Sequence, residues 1–367
     1  MDARGALRRT VLAAARTRAF EGIVAALERV ARERPDVLAV LTYHRIDVSG
    51  RAPLLYPGLI SAEPDGFEEQ MRFLASRWRP LSLVELVAVR RGETRLPARS
   101  VMVTFDDAYT DFGEVAWPIL ARYGIPATLF VPTAYPGDRG LAFWWDRLYG
   151  ALAAAPSRAP LASPIGRIEL ATDGDRLQAF RRLRSHLKSL PHERAQKLVG
   201  ELCRELDGPA PASAVLTWPE LRRLHAEGVA LAPHSRTHPL LDRLPAAEAQ
   251  AEILGSLDDL EREIGNVPRV FAYPGGGRDV NLEGILEREG FELAFSTERG
   301  TNDLRQGDWL RLRRINVGRA SGLPLVRAQL LSSWRWPRPE PRRFTIPEQG
   351  SGSAVSVESD KLGVRDG

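Results

Sequence analysis

The chain has 367 residues, 44% hydrophobic and 27% charged, a balance that can bury a sizeable core and excludes intrinsic disorder over most of its length. Its formal charge of +4 comes from 51 Lys and Arg interspersed with 47 Asp and Glu; without a long basic block, nucleic-acid binding is disfavoured. A single cysteine, Cys203, excludes an intramolecular disulfide framework and a cysteine-based zinc ribbon. Any metal site must therefore draw on carboxylates and on the six histidines His44, His186, His192, His225, His234 and His238.

At the start, Leu7, Val11, Phe20, Ile23, Val24, Leu27 and Val30 recur at near-helical spacing. Residues 1–36 are thus expected to form an amphipathic helix packed on the outside of the domain; resting on a membrane surface is the competing reading. No run approaches the roughly 20 apolar residues of a bilayer span, and the first residues lack a signal-peptide core. Cytoplasmic residence, with peripheral membrane contact through the helix as an option, is the expectation.

The main domain is expected over 37–336. Val37 to Tyr43 reads as a buried strand ending at His44, and Gly66 to Arg77 as a helix with Phe67, Met71 and Leu74 on one face. Ser82 with Glu85 has the form of a capping box opening a second helix. A second strand, Val101 to Phe105, runs into Asp106-Asp107; Val115 to Tyr123 predicts a helix closed by Gly124, and Ala127 to Val131 a third strand. From 136 to 211 the alternation stops, and this stretch, with Trp144-Trp145-Asp146, reads as a largely helical insertion. A helix capped by Thr217 then leads to a strand, Val229 to Ala232, that arrives at His234. A helix over Ala246 to Ile264, a strand over Arg269 to Tyr273, the turn Pro274-Gly275-Gly276-Gly277, a helix near Leu282 to Glu289 and strands Leu293 to Ser296 and Leu310 to Val317 complete the alternation. Residues 337–367, rich in Pro, Arg, Gly and Ser, are expected to be a disordered tail. Short apolar strands alternating with helices define a parallel α/β architecture, whose chemistry gathers where strands end.

Three such ends carry chemistry. Asp106-Asp107 offers two carboxylates pointing in different directions, one for a metal and one for a substrate. His234 and His238, four apart, are expected to set both imidazoles on one side of a single helical turn, a common way to chelate a divalent cation. Together they make a facial two-His, one-carboxylate set, which serves iron oxygenases as well as hydrolytic zinc. The Gly275 turn exposes backbone N–H groups of the kind that hold the oxyanion of an acyl-transfer reaction.

In this order the three elements resemble the polysaccharide deacetylase family, also called the NodB-homology family or carbohydrate esterase family four. Leu41-Thr42-Tyr43-His44-Arg45, Leu216-Thr217-Trp218 and Leu312-Arg313-Arg314-Ile315 support the likeness, which spans Val37 to Val317. The resemblance implies a distorted (β/α) barrel and removal of N-acetyl groups from an N-acetylated carbohydrate. It makes Asp106 the general base, Asp107, His234 and His238 the ligands of a divalent metal, most often Zn2+, and a backbone N–H around Gly275 an oxyanion donor. Two departures stand out. Ala272 occupies the place of an arginine that orients the catalytic carboxylate in many members, leaving Arg278 and Arg314 as substitutes, and Asp308-Trp309 echoes the fourth motif. No histidine follows His238 to serve as general acid, so His44, at the end of a strand, is the candidate. His186, His192 and His225 are expected at the surface. A non-catalytic carbohydrate-binding module and an amidohydrolase on a non-sugar amide are the competing functions.

Overall fold

The computed structural model describes residues 10–331 except 11, 16, 32–33, 157–158, 209–210 and 278–279. All of these lie in one compact unit, Met1–Trp336. Leu7, Val11, Arg278 and the segment 337–367 lie outside the described residues.

The strands, in chain order, are β1 (Val37–Tyr43), β2 (Arg45–Ile46), β3 (Ile60–Ala62), β4 (Arg79–Pro80), β5 (Ser100–Asp106), β6 (Ala127–Val131), β7 (Ala230–Pro233), β8 (Val270–Ala272), β9 (Leu293–Arg299), β10 (Asn302–Asp303) and β11 (Leu312–Asn316). The main sheet runs β7-β6-β5-β1-β11-β9-β8, with β4 added to β5 and β10 to β1. All pairs along that path are parallel; only β10 is antiparallel. The end strands β7 and β8 come against each other, so the sheet curls into a nearly closed barrel, as the alternation of strand and helix predicts.

Period-two alternation sorts the side chains. Leu38, Val40, Met102, Phe130, Ala232, Val270, Ala272, Leu293, Phe295 and Leu312 form one buried cluster, floored by Leu83 and Leu86 of the helix Leu83–Arg90. Residues of the other parity, among them Leu41, Val103, Phe105, Leu129, Leu231 and Phe271, pack outward against Phe67, Leu74, Leu120, Leu224 and Leu257 of the surrounding helices. Both faces of each strand are therefore apolar, which explains why they read as continuous hydrophobic runs. Continuing the inward parity to the strand ends brings up Asp106 after Thr104, His234 after Ala232, and Arg314 after Leu312.

Several elements differ locally from expectation. The helix predicted over Val115 to Tyr123 opens as a π-helical segment, Phe112–Ala116, and becomes α-helical over Trp117–Arg122. Pro118 has no N–H to return to Glu114, so the ladder shifts and Trp117 N–H donates to Phe112 instead. The expected N-terminal helix is broken: among the described residues Thr10 and 12–14 are helical, the chain turns at Ala15, and a helix capped by Thr17 runs over Arg18–Val30. Val24 is buried, but Ile23 and Val30 are 57% and 56% exposed; Glu28 anchors the helix by accepting from Arg327 of the helix Leu323–Leu330 at 2.9 and 2.5 Å.

Between β6 and β7 lie the helices Trp144–Ala154, Asp173–Leu187 and His192–Leu206. Leu148, Phe180, Leu183 and Leu202 join them to the main core. The C-terminal carbonyls of the first helix are satisfied from an unusual source. Arg176, 4% exposed, donates to Leu152, Ala153 and Ala155 at 2.7–2.9 Å and to Leu170 at 3.2 Å. Helix C-terminal carbonyls favour such a cation. Arg176→Met, which keeps the packing and removes every donor, is expected to lower the unfolding free energy by about 2–4 kcal/mol. Urea titration reads this, and an unchanged midpoint would discard the capping role.

Candidate active site

At the end of β5 the chain turns sharply. Asp107 and Ala108 adopt left-handed backbone angles, φ +72 and +52, which Asp tolerates better than most residues. Asp106 therefore keeps its inward aim while Asp107 swings to the His234 side. From β7 the chain passes Pro233 into His234, whose Nδ1–H donates to the Ala272 carbonyl at 2.7 Å. That bond leaves Nε2 as the free lone pair.

The His234–His238 segment is not the helical turn its spacing suggests. Ser235 and His238 are both left-handed, φ +61 and +58, and Pro239 disfavours helical geometry at the residue before it. The loop is held by other bonds: His238 N–H donates to Ser235 Oγ at 3.1 Å, and Arg236 and Thr237 N–H donate to Glu252 at 2.9 and 2.8 Å. The imidazoles still converge, with ring centroids 4.9 Å apart.

One ligand atom from each of Asp107, His234 and His238 lies within 4.8 Å of the others. His238 Nε2 is 3.1 Å and His234 Nε2 3.7 Å from Asp107 Oδ1, yet that oxygen is buried with no hydrogen-bond donor on it. Burial pushes the His234 pKa down to about 4, so the ring is neutral at physiological pH. A buried acceptor without a donor, flanked by two imidazoles, fits a divalent cation better than it fits mutual hydrogen bonding.

Asp106 has a different partner. Arg314 grips it with two bonds of 2.8 Å, Nη1 to Oδ1 and Nη2 to Oδ2. Burial works against the charged form, but the Arg314 charge, helped by His234 and His44, holds the carboxyl far below the usual range. Ala272 thus leaves no gap: the orienting guanidinium comes from β11, the one of the two proposed substitutes that lies in the described residues. Its Nε donates to Ser296 and its head sits 5.8 Å from the Phe130 ring centre.

His44, Asp106, Asp107, His234, His238 and Gly275 all line one cavity of about 1050 Å³. His44 follows β1, its backbone N–H held by Ser61. Gly275 has φ +61, an angle that strains any larger residue, and a Cβ there would press on Leu240 Cδ2 at 2.7 Å. His192 departs from its expected surface place: it is half-buried and lines the same cavity. His186 and His225 do not line it.

The insertion supplies one wall. Trp145 stacks on Phe143 at 4.4 Å and meets the His238 ring edge-on at 5.0 Å. Its indole N–H donates to Tyr109 Oη, and Tyr109 donates to buried Asp146 at 2.6 Å, which also accepts from Tyr56 N–H. A neighbouring group, Arg45 donating to Asp111 at 2.8 Å and to Asp47 at 2.6 Å, is buried beside it. Burial raises the pKa of both Asp146 and Asp111 to about 6. The Trp144-Trp145-Asp146 string marks Asp146 in the sequence without giving it a role, and nothing local singles out Asp111.

Fold and site together define a parallel barrel with a carboxylate–bis-imidazole centre and a second carboxylate, paired with Arg314, beside it. The chain belongs to the polysaccharide deacetylase family, whose model matches residues 93–294. It is 31% identical to YxkH of Bacillus subtilis over 100 residues, 27% of this chain and 33% of that one. It is 37% identical over 78 residues to a Staphylococcus aureus poly-beta-1,6-N-acetyl-D-glucosamine N-deacetylase, 21% of this chain and 27% of that one. The matches thus span a third or less of these relatives' length. Among solved structures, the fold is similar to the Streptococcus pyogenes deacetylase PplD in complex with acetate (TM-score 0.55, 21% identity, 81% of this chain and 99% of that one). It is also similar to IcaB from Ammonifex degensii (TM-score 0.53, 20% identity, 81% and 98%).

Two outcomes test this geometry. Arg314→Met strands a buried carboxylate, with an expected loss of about 3–5 kcal/mol at pH 7, and Asp106→Asn in the same background should recover part of it; a four-protein urea cycle with no coupling would refute the pairing. For Asp146 the raised pKa means that the folded state keeps a proton the unfolded chain has released. Stability should therefore fall as pH rises from about 4 to about 6 and level off above, by on the order of 2 kcal/mol. Asp146→Asn should reduce that slope in a series of melts, leaving the share of Asp111, and a slope of unchanged size would contradict it.

Proposed function

We propose that the protein is a metal-dependent hydrolase that removes N-acetyl groups from an amino-sugar unit of a polysaccharide, oligosaccharide or glycolipid precursor. The observation that carries this reading is the convergence of Asp107, His234 and His238 on one point with Asp106 beside it. The donor set, one carboxylate and two imidazoles with open positions, suits zinc. A divalent ion held there supplies Lewis-acid polarisation of the acetamide carbonyl and of the attacking water.

The chain's own residues account for the remaining work. Asp106, kept ionised and oriented by Arg314, takes the proton of the attacking water. A backbone N–H at the Gly275 turn faces the oxygen on which negative charge develops. His44, on the same cavity, donates a proton to the leaving amine. Trp145 and Tyr56, both largely buried, line the cavity wall beside the centre. Arg314 supplies what Ala272 lacks and His44 stands in the cavity, so the two departures that favoured a non-catalytic module lose their force.

Acetate release from N-acetylglucosamine oligomers is the direct test, with zinc retention measured in parallel. Chelation should abolish release and added zinc restore it. Asp106→Asn should lower kcat by about 10²–10⁴-fold with the metal retained, whereas His238→Ala should lose the metal. His44→Gln should remove the alkaline limb of the pH–rate profile. A metal-loaded protein that releases acetate from no N-acetylated sugar sinks the proposal.

A further inference from the structure

The cavity carries more positive charge than hydrolysis of a neutral acetamide requires. Its lining holds six cationic side chains, Arg181, Arg184, Lys188, Arg243, Arg299 and Arg319, against two carboxylates, Asp106 and Asp107. Asp106 is already engaged by Arg314, and Asp107 faces the imidazole pair. Arg243 lies 3.8 Å from Asp242. Among the described residues the other five have no ion-pair partner.

Their placement is ordered. Leu177, Arg181, Arg184 and Lys188 follow one another at steps of four, three and four along the helix Asp173–Leu187 and its C-cap. That spacing sets them on one face, with the cations spread over about 10 Å. Ala179 and Leu183, on the far side of the helix, are buried in the core, and Phe180 beside the stripe packs on the Tyr56 ring at 4.4 Å, so the helix is fixed with its basic stripe toward the cavity. Arg184 is further held over the Tyr56 ring at 5.5 Å and donates to its hydroxyl at 3.3 Å. From the facing wall come Arg299, at the end of β9, and Arg319, beyond β11, which donates to Ser49 Oγ at 2.6 Å. Like charges at helical spacing repel, yet no acid is interleaved among them.

One bidentate guanidinium saturates a lone carboxylate. Five cations without acidic partners, arranged on two walls, instead match a multiply charged group, and arginine is the side chain suited to phosphoryl oxygens. We infer that the substrate is an acetamido sugar bearing a phosphate or diphosphate, which the Arg181–Arg184–Lys188 stripe and Arg299 and Arg319 hold while the acetamide reaches the centre. For its reaction this inference rests on the deacetylase proposal; for its binding it does not.

The test compares, on the zinc-loaded full chain, neutral N-acetylglucosamine and its neutral dimer with N-acetylglucosamine 1-phosphate, a nucleoside diphosphate N-acetylglucosamine and a detergent-solubilised polyprenyl diphosphate N-acetylglucosamine. At low salt, kcat/KM should be at least about tenfold higher for a phosphorylated substrate than for the neutral sugars, and the advantage should shrink as salt is added. Arg181→Gln/Arg184→Gln/Lys188→Gln should raise KM for that substrate at least about tenfold, with most of the effect in KM and not in kcat. Arg299→Gln/Arg319→Gln should act in the same direction from the other wall. Arg194→Gln, an exposed change outside the cavity, should keep the preference. Soluble and polyprenyl substrates both support the site, and their ratio identifies the carrier. Equal or better turnover of neutral sugars, or a preference that survives the triple substitution, overturns the inference while leaving deacetylation standing. If no sugar releases acetate, calorimetric binding of N-acetylglucosamine 1-phosphate still decides it: binding lost in the triple variant supports the anion site, and equal binding rejects it.

Discussion

One guanidinium ties the reacting end of the barrel together. Arg314, 1% exposed, donates twice to Asp106 on β5 and once to the Ser296 carbonyl on β9, and its plane lies near Phe130 of β6. A carboxylate as buried as Asp106 would otherwise take up a proton or carry a large desolvation cost. With Arg314 in place it stays charged, stays aimed inward, and leaves Asp107 as the residue that meets the histidines. Two adjacent acids thereby receive different tasks from their surroundings and not from their chemistry.

The barrel that holds this pair is built on polarity graded along the strands. Leu38, Met102, Leu293 and Leu312 make an apolar floor, and the same inward row ends in Thr42, Thr104, Asp106, His234 and Arg314 at the mouth. Thr42 and Thr104 bond each other at 3.1 Å at the level where the interior changes from apolar to charged. Because the floor is well packed, the mouth can bear buried ions without loosening the sheet.

The helices between β6 and β7 are coupled to this mouth. Trp145 touches His238, Asp146 holds Tyr109 and Tyr56, and Tyr56 in turn carries Arg184. A continuous set of contacts thus links His238 to the basic stripe of the helix Asp173–Leu187. The same wall therefore shapes the centre and presents the basic stripe to the cavity.

Much of this was legible along the chain. The buried strands, the capping box at Ser82, the Asp106-Asp107 pair at a strand end and the short His234–His238 interval follow from local periodicity and spacing, which act within a few residues. His44 was legible as well, because it directly follows a strand whose apolar run ends there. Other features needed the folded chain. The pairing of Arg314 with Asp106 joins residues 208 apart in sequence, and local pattern offered Arg314 only as one of two candidates beside Arg278. The histidine loop converges through left-handed Ser235 and His238 and through Glu252, not through the helix its spacing implied. Likewise Asp146 became a buried anchor, and Arg181, Arg184 and Lys188 one wall of a cavity, only once packing had brought distant segments together. Periodicity is a property of neighbours along the chain, whereas burial and charge pairing are properties of neighbours in space.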